Sequence, residues 1–304
     1  MTETVWGVVL NFRTPEKTLR CIESLLASAV YHCVLVDNSE DGGHSLRAME
    51  EELARLRANG MDLRVVAPGK NLGFAAGVNR ALALIQDAGP GDVLLINSDA
   101  VLLPGGLEGL KRSLGGCGGL AAPMHIGADG ARRMPRAYYN RWIGSLHSRC
   151  GWGGVEFVSG ACLLISKEVA GSTRLDERFF FYGEDIYLCW QVRRGGGKIL
   201  VVRDATVLHE GSGSSRNGSL FYEYHINRWH LLMPALLAGG ALEEVMQMVG
   251  RIAYLPARAV LRSLRFRNTL PLKGLLMAAS DRCQRRLRPL TPPWRHDASG
   301  SGMI

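Results

Sequence analysis

Hydrophobic and polar positions alternate in blocks through the first 125 residues. Apolar runs at 5–10, 33–36, 63–67, 92–96 and 120–122 have the length of buried strands. Between them, 15–29, 45–58, 72–87 and 105–113 carry apolar residues at helical spacing. Thr14 stands where the first of these helices needs an N-cap, and Asn71 precedes the third. Strand and helix in strict alternation, with apolar strands, predict a parallel sheet covered by helices on both faces. Ligands in such sheets sit beyond the carboxyl ends of the strands. Three of those ends are polar: Asn11, Asp37 and the triplet Asn97-Ser98-Asp99.

The pattern changes in the second half. Residues 127–154 are rich in Arg, Gly and aromatics and read as an excursion rather than core. Residues 155–165 read as one strand with Gly160 inside it, and a further segment opens at Lys167. Glu184–Arg194 is a helix on several grounds. It has acids in its first turn, Leu188, Cys189 and Val192 at helical spacing, Arg193 and Arg194 in its last turn, and Gly195 to Gly197 as the stop. Two short strands follow at 199–202 and 206–208, and the second runs into His209 and a Gly/Ser loop. From Phe221 the spacing is helical. The chain thus divides into a ligand-binding half (1–125), a second half of the same domain (126–230) and a helical extension (231–304). The apolar stretch 231–242 contains Pro234 and is well short of the roughly 20 residues that span a bilayer.

Charge sharpens this division. From 245 to 304 there are eleven Arg and Lys against Asp281 and Asp297, a net +9, which leaves residues 1–244 at −1. Nucleic-acid binding by the main domain therefore gets no support from charge. Within 257–267, Val260, Leu261 and Leu264 fall on one side with Arg258, Arg262 and Arg265 interleaved, and Arg282, Arg285, Arg286 and Arg288 follow. The pattern predicts a basic amphipathic helix lying on an anionic membrane surface. The competing reading is an appendage packed on the main domain or on a second subunit. Seven cysteines without a C-x-x-C pair, several of them in apolar runs, read as reduced core thiols of a cytosolic protein. The N-terminus lacks a basic n-region, so no signal peptide is expected.

The strand ends carry the candidate chemistry. A carboxylate in the position of Asp99 can hold a hard cation that bridges phosphate oxygens, since Mg²⁺ and Mn²⁺ ask for few protein carboxylates. It can equally cap a turn. Asp37 suits an Asx-turn or the acceptance of a hydrogen bond from a base. Gly73 and Gly77 lie one turn apart in a helical pattern, where Gly costs about 1 kcal/mol relative to Ala. Something must approach that backbone closely, either a ligand at the helix N-terminus or the sheet beneath it.

Five segments taken in order, VVLNFRTPEKTLRCIESL, VLVDNSEDG, KNLGFAAGVNRAL, LLINSDAVL and FFFYGEDIYLCWQVRRGGGKILVVRDATVLHEGSGS, resemble glycosyltransferase family 2 over about residues 5–230. Within it they are most similar to bacterial rhamnosyltransferase-type members that build surface polysaccharides. The resemblance implies a GT-A-type, Rossmann-like α/β sheet with helices on both faces. It implies inverting transfer of a sugar, rhamnose by the nearest likeness, from a UDP- or dTDP-sugar to a hydroxyl of a glycan or lipid-linked acceptor.

Residue by residue, the resemblance places Asp37 at the pyrimidine base and Asn71 with Gly73 in the nucleoside pocket. Asn11 and Arg13 join the nucleotide-binding set. Asp99 corresponds to the metal-binding Asp of a D-x-D-like motif whose first position is Asn97 here, and His209 joins it at a Mg²⁺ or Mn²⁺ ion. Asp185 matches the catalytic base, with Glu184 as its rival, and Arg216 is placed to meet a diphosphate. The implied setting is cytoplasmic, peripheral at the inner face of the plasma membrane. Two positions depart from the pattern: Tyr187 stands where relatives carry a second acid, and Trp190-Gln191 where an Arg is usual. Two rival functions are weighed. Sugar nucleotidyl transfer would call for a Gly-rich loop after the first strand, where NFRTPEKT has none, and a non-catalytic scaffold would need none of Asp37, Asp99, Asp185 and His209.

Overall fold

The computed structural model describes residues 4–211 and 217–284. Arg216 and the tail arginines Arg285, Arg286, Arg288 and Arg295 lie outside the described residues. The first half alternates as expected: β1 (Val5–Asn11), α1 (Pro15–Ala27), β2 (His32–Asp37), α2 (His44–Ala58), β3 (Asp62–Val66), α3 (Phe74–Ala88) and β4 (Asp92–Asn97). Next come β5 (Ala100–Leu102), α4 (Gly106–Leu114), β6 (Gly119–Ile126), β7 (Arg132–Arg133), β8 (Arg136–Asn140), β9 (Leu146–His147), β10 (Gly154–Val158) and β11 (Cys162–Ile165). The chain continues through α5 (Lys167–Ser172), α6 (Glu184–Arg194), β12 (Lys198–His209), α7 (Leu220–Leu237), α8 (Ala241–Phe266) and α9 (Leu270–Cys283).

The main sheet has the order β3-β2-β1-β4-β11-β6-β12-β5, with β7 on the side of β6. Strands β3, β2, β1 and β4 are parallel, but β11 runs antiparallel to both β4 and β6, so the sheet is mixed rather than wholly parallel. Alternate residues along each strand face opposite layers. Val9, Leu35, Leu94 and Leu164 meet α1, α2 and α4, while Val8, Val34, Leu95 and Leu163 meet α3, α5 and α6.

The chain departs from the sequence reading in three places. Residues 155–165 are two strands in different sheets, because Ser159 to Ala161 break the run and send β10 to the small β10-β8-β9 sheet. That sheet gives the Arg- and aromatic-rich excursion a core of its own, in which Tyr139 is fully buried. Conversely, 199–202 and 206–208 are one strand with a bulge after Val202. Its partner there is Pro123, which has no N–H to donate, and bulges are where sheets accommodate proline.

Helix α7 is buried on nearly every face, between the small sheet with α6 on one side and α8 with α9 on the other. The residue 230/231 boundary falls inside it. Three of the four arginines of α8 point inward, against the expectation of a basic outer face. Arg251 is fully buried and donates to the Arg141 and Trp142 carbonyls and to the Tyr139 hydroxyl, while Arg258 and Arg262 meet the buried carboxylate of Glu223. Glu223 has no exposed side-chain surface, and Arg262 approaches it at 2.6 Å.

Breaking a buried pair by removing one partner strands the other charge and costs about 3–5 kcal/mol. Glu223→Ala should therefore lower the unfolding free energy by about that amount in a denaturant titration. Glu244→Ala, which breaks the half-exposed pair with Arg282 at 3.0 Å, should cost less than about 1 kcal/mol. Equal losses in the two variants would contradict the burial of this charge cluster.

Candidate active site

The polar strand ends gather at one edge of the sheet. Asn11 and Asp37 are partners in register across β1 and β2, and both are buried. The Asn11 amide donates to Asp37 Oδ1 at 2.8 Å and to Ser39 Oγ at 2.9 Å, and its carbonyl accepts from the Thr18 hydroxyl at 2.8 Å. Asp37 Oδ1 also accepts from the Ser39 hydroxyl and amide. Every one of these contacts uses Oδ1. Arg13 has φ of +56° and closes the loop by donating to the Ser39 carbonyl at 2.9 Å.

The next wall is the start of α3. The Asn71 side chain accepts from the Gly73 amide at 2.9 Å in an Asx-turn. Gly73 has φ of +81°, and a Cβ there would lie 2.7 Å from the Phe180 ring and carbonyl. A Cβ on Gly77 would meet Leu10 at 2.8 Å. The close approach inferred from these glycines is thus made by the protein itself. Asn38, at the end of β2, donates to the Gly73 carbonyl at 3.0 Å and ties this wall to the Asp37 loop.

Asp99 and His209 come from different halves of the chain and are joined by the sheet. β5 begins at Ala100 and pairs with the end of β12, where His209 is opposite Ala100. His209 Nε2 lies 3.4 Å from Asp99 Oδ1, with the two side chains 20% and 14% exposed. Burial pushes the Asp99 pKa up, but the hydrogen bond and charge of His209, helped by Lys17, outweigh it and hold the group below its ordinary value. Asp99 is therefore ionised at neutral pH. Lys17 and Arg20 of α1 bind Glu210 at 2.6 and 3.2 Å beside it.

Sequence reasoning missed His125. It is the penultimate residue of β6, and its ring packs edge-on to His209 at 5.5 Å. Burial, with the charge of His209, lowers its pKa to about 4, so it is neutral, and its Nε2 is buried without a hydrogen-bond partner. The rule that picked out the other strand ends would have found it had the strand been carried beyond Ala122 to Ile126.

Asp185 and Glu184 open α6. Asp185 Oδ2 accepts from the Gly160 amide at 3.4 Å, and Oδ1 from the Ile186 amide at 2.8 Å. Gly160 adjoins Ala161, whose carbonyl accepts from the Asn97 amide at 2.9 Å, so Asp185 is anchored beside the strand end that carries Asp99. Both acids have raised pKa values. Burial is the main cause, and for Glu184 the neighbouring Asp185 charge adds to it, while backbone amides partly relieve Asp185. Glu184 Oε2 is sealed from solvent and accepts no hydrogen bond. The arginines of the 127–154 stretch are engaged elsewhere: Arg133 with Asp129, Arg136 with Glu156, and Arg132 with the Arg203 carbonyl.

An anionic oxygen and an imidazole nitrogen at the mouth of the sheet form a donor set suited to Mn²⁺ or Mg²⁺. Among the described residues no cluster of three or more His, Cys, Asp or Glu able to hold an ion occurs. Two protein ligands would leave the remaining positions to water and phosphate oxygens.

Comparison with known proteins follows this geometry. The chain is 28% identical over 187 residues to N-acetylglucosaminyl-diphospho-decaprenol L-rhamnosyltransferase of Mycobacterium tuberculosis, in strains CDC 1551 / Oshkosh and ATCC 25618 / H37Rv. The match covers 51% of this chain and 61% of the relative, so it spans less than two thirds of those proteins. Among solved structures, a mannosyltransferase from Pyrobaculum calidifontis in complex with GDP-Man and Mn²⁺ superimposes with a TM-score of 0.58 at 14% identity, over 94% of this chain and 88% of that one. GalNAc-T7 with UDP, GalNAc and Mn²⁺ gives 0.56 at 15% identity, over 88% of this chain and 59% of that one. The sheet therefore has the GT-A fold of these enzymes. Residues 5–231 match the model described as "Glycosyltransferase like family 2", and the chain belongs to that family.

Proposed function

We propose that this protein is an inverting, divalent-metal-dependent glycosyltransferase. The observation that carries the reading is the gathering at one strand end of the ionised Asp99, with His209 beside it, and a half-buried Asp185 whose pKa is raised. Inverting transfer needs one base to take the acceptor's proton as its oxygen attacks the anomeric carbon, and cationic help for the departing diphosphate. Asp99 and His209 would hold the metal, which supplies charge neutralisation at the diphosphate. Asp37, Asn11, Arg13, Asn71 and Gly73 frame the nucleoside, and Asn97 stands at the diphosphate end.

Asp185 is the base in this reading. Its position on the Gly160 amide fixes the carboxylate, and burial raises its proton affinity towards the working range of a general base. Glu184 is the weaker choice, since one of its two carboxylate oxygens, Oε2, is shut off from solvent and from hydrogen-bond donors. The donor is a UDP- or dTDP-sugar, and the mycobacterial relatives support L-rhamnose as the sugar and a lipid-linked diphosphate as the acceptor. Among the described residues no helix is long and apolar enough to cross a membrane, so a lipid-linked acceptor would be met at the bilayer surface.

Nucleotide binding gives the first test. UDP or dTDP with Mn²⁺, at 100 times its dissociation constant, should stabilise the folded protein by about 2.7 kcal/mol, visible as a raised melting midpoint. Asp99→Ala should remove the Mn²⁺-dependent part. No response to UDP, dTDP or GDP in folded protein would sink the donor site.

The base makes a prediction about pH. A base works ionised, so activity rises as pH passes upward through its pKa. Because burial raises that pKa, the acid limb of kcat/KM should lie above the ordinary aspartate value of about 4. Asp185→Asn should lower kcat about 10²- to 10⁴-fold while leaving the nucleotide-induced stabilisation intact. A larger loss in Glu184→Gln than in Asp185→Asn would transfer the role to Glu184.

A further inference from the structure

Helix α8 is amphipathic in the reverse sense to an ordinary surface helix. In α2 the outward positions are Arg, Glu, His and Ala, and the inward ones Met49, Leu53 and Leu56. In α8 the arginines Arg251, Arg258 and Arg262 face the protein, and every exposed position from Ala241 to Leu264 is apolar. Leu242, Val245, Val249, Ile252, Leu261 and Leu264 are 59–76% exposed. A contiguous apolar surface of this length along one helix marks an interaction site.

The surroundings of the stripe say what covers it. Glu243 and Glu244, the acids of α8, are tied to Arg141 and Arg282 at 3.0 Å each, and no acid follows them in the helix. Exposed Arg265, Arg267 and Lys273 stand at the C-terminal end of the stripe. The loop between β8 and β10 touches the helix midpoint, where a Cβ on Gly250 would lie 2.0 Å from the Trp142 carbonyl. That contact brings exposed Ile143 to the edge of α8, and Trp152, 77% exposed, stacks on Trp142 at 5.1 Å. Apolar side chains flanked by cations, with a tryptophan nearby, are the composition of a helix lying in the lipid interface. A second copy on the same face would bring the exposed Arg265, Arg267 and Lys273 of two chains together, whereas an anionic lipid surface complements them.

We infer that the outward face of α8 seats the protein on an anionic membrane, with Leu242, Val249, Ile252 and Leu261 entering the acyl boundary. The inference deepens the functional reading in which the acceptor is lipid-linked, and it changes the expected mode of contact. Apolar insertion is primary, and Arg251, Arg258 and Arg262 hold the helix to the protein instead of touching lipid.

Co-sedimentation with vesicles of phosphatidylglycerol and phosphatidylcholine tests it, using the full chain and neither donor nor acceptor. The wild-type protein should sediment with the vesicles and remain bound in high salt, because insertion is not screened. The combined variant Leu242→Gln, Val249→Gln, Ile252→Gln and Leu261→Gln should partition at least about tenfold less. Its melting midpoint and its response to nucleotide should be unchanged, since these side chains are already in solvent. Equal sedimentation of the variant would overturn the proposal. So would a wild-type dimer that ignores vesicles and that the four substitutions dissociate, because a second copy would then cover the face. Intact vesicle binding without any sugar transfer would count against the functional reading alone.

Discussion

The antiparallel seating of β11 against β4 is the constraint from which the site follows. The Asn97 amide donates to the Ala161 carbonyl at the end of β4, and this bond places the Ser159 to Ala161 turn beside Asp99. Asp185 reaches Gly160 of that turn from the first turn of α6. A Cβ at Gly160 would make only an ordinary contact with the Asp185 side chain, at 3.5 Å. Were β11 to extend the parallel half of the sheet, its start would lie at the opposite edge, and Asp99 and Asp185 would be separated. The mixed sheet is what brings them to one edge.

Loops around this junction are braced from two sides. Phe180, in the segment before α6, packs against the left-handed Gly73 and accepts the Phe74 amide at 3.0 Å, so the start of α3 and the approach to α6 share a support. Behind it, Phe180 stacks on His225 of α7 at 5.1 Å, and Trp229 closes on Gly183. The C-terminal helices therefore form the back wall of the catalytic half. The Glu223–Arg258–Arg262 cluster gives α7 and α8 a fixed register, since buried charges tolerate no slippage that would unpair them. The same cluster turns the apolar side of α8 outward.

Much of the fold was legible in the chain. The apolar runs and their polar ends located β1, β2, β3 and β4, and acids, arginines and glycines bounded α6, because these signals are local and repeat at the period of the element. Gly160 inside an apolar run was visible, but whether it bulged a strand or divided two strands was not, since that depends on which neighbours each piece finds. The bulge opposite Pro123 and the extension of β6 to His125 were hidden for the same reason.

Of the site, residue types and strand-end positions could be read from sequence: Asp37, Asp99, Asp185 and His209 each followed from a motif or a strand end. Their juxtaposition could not, because His209 meets Asp99 only through the pairing of β12 with β5, across more than a hundred residues of chain. Nor could the orientation of α8. Periodicity establishes that a helix has two unlike faces, and the local sequence is satisfied by either face turned inward. Which face is buried was decided by Glu223 on α7, a buried charge that only cations from another helix could neutralise.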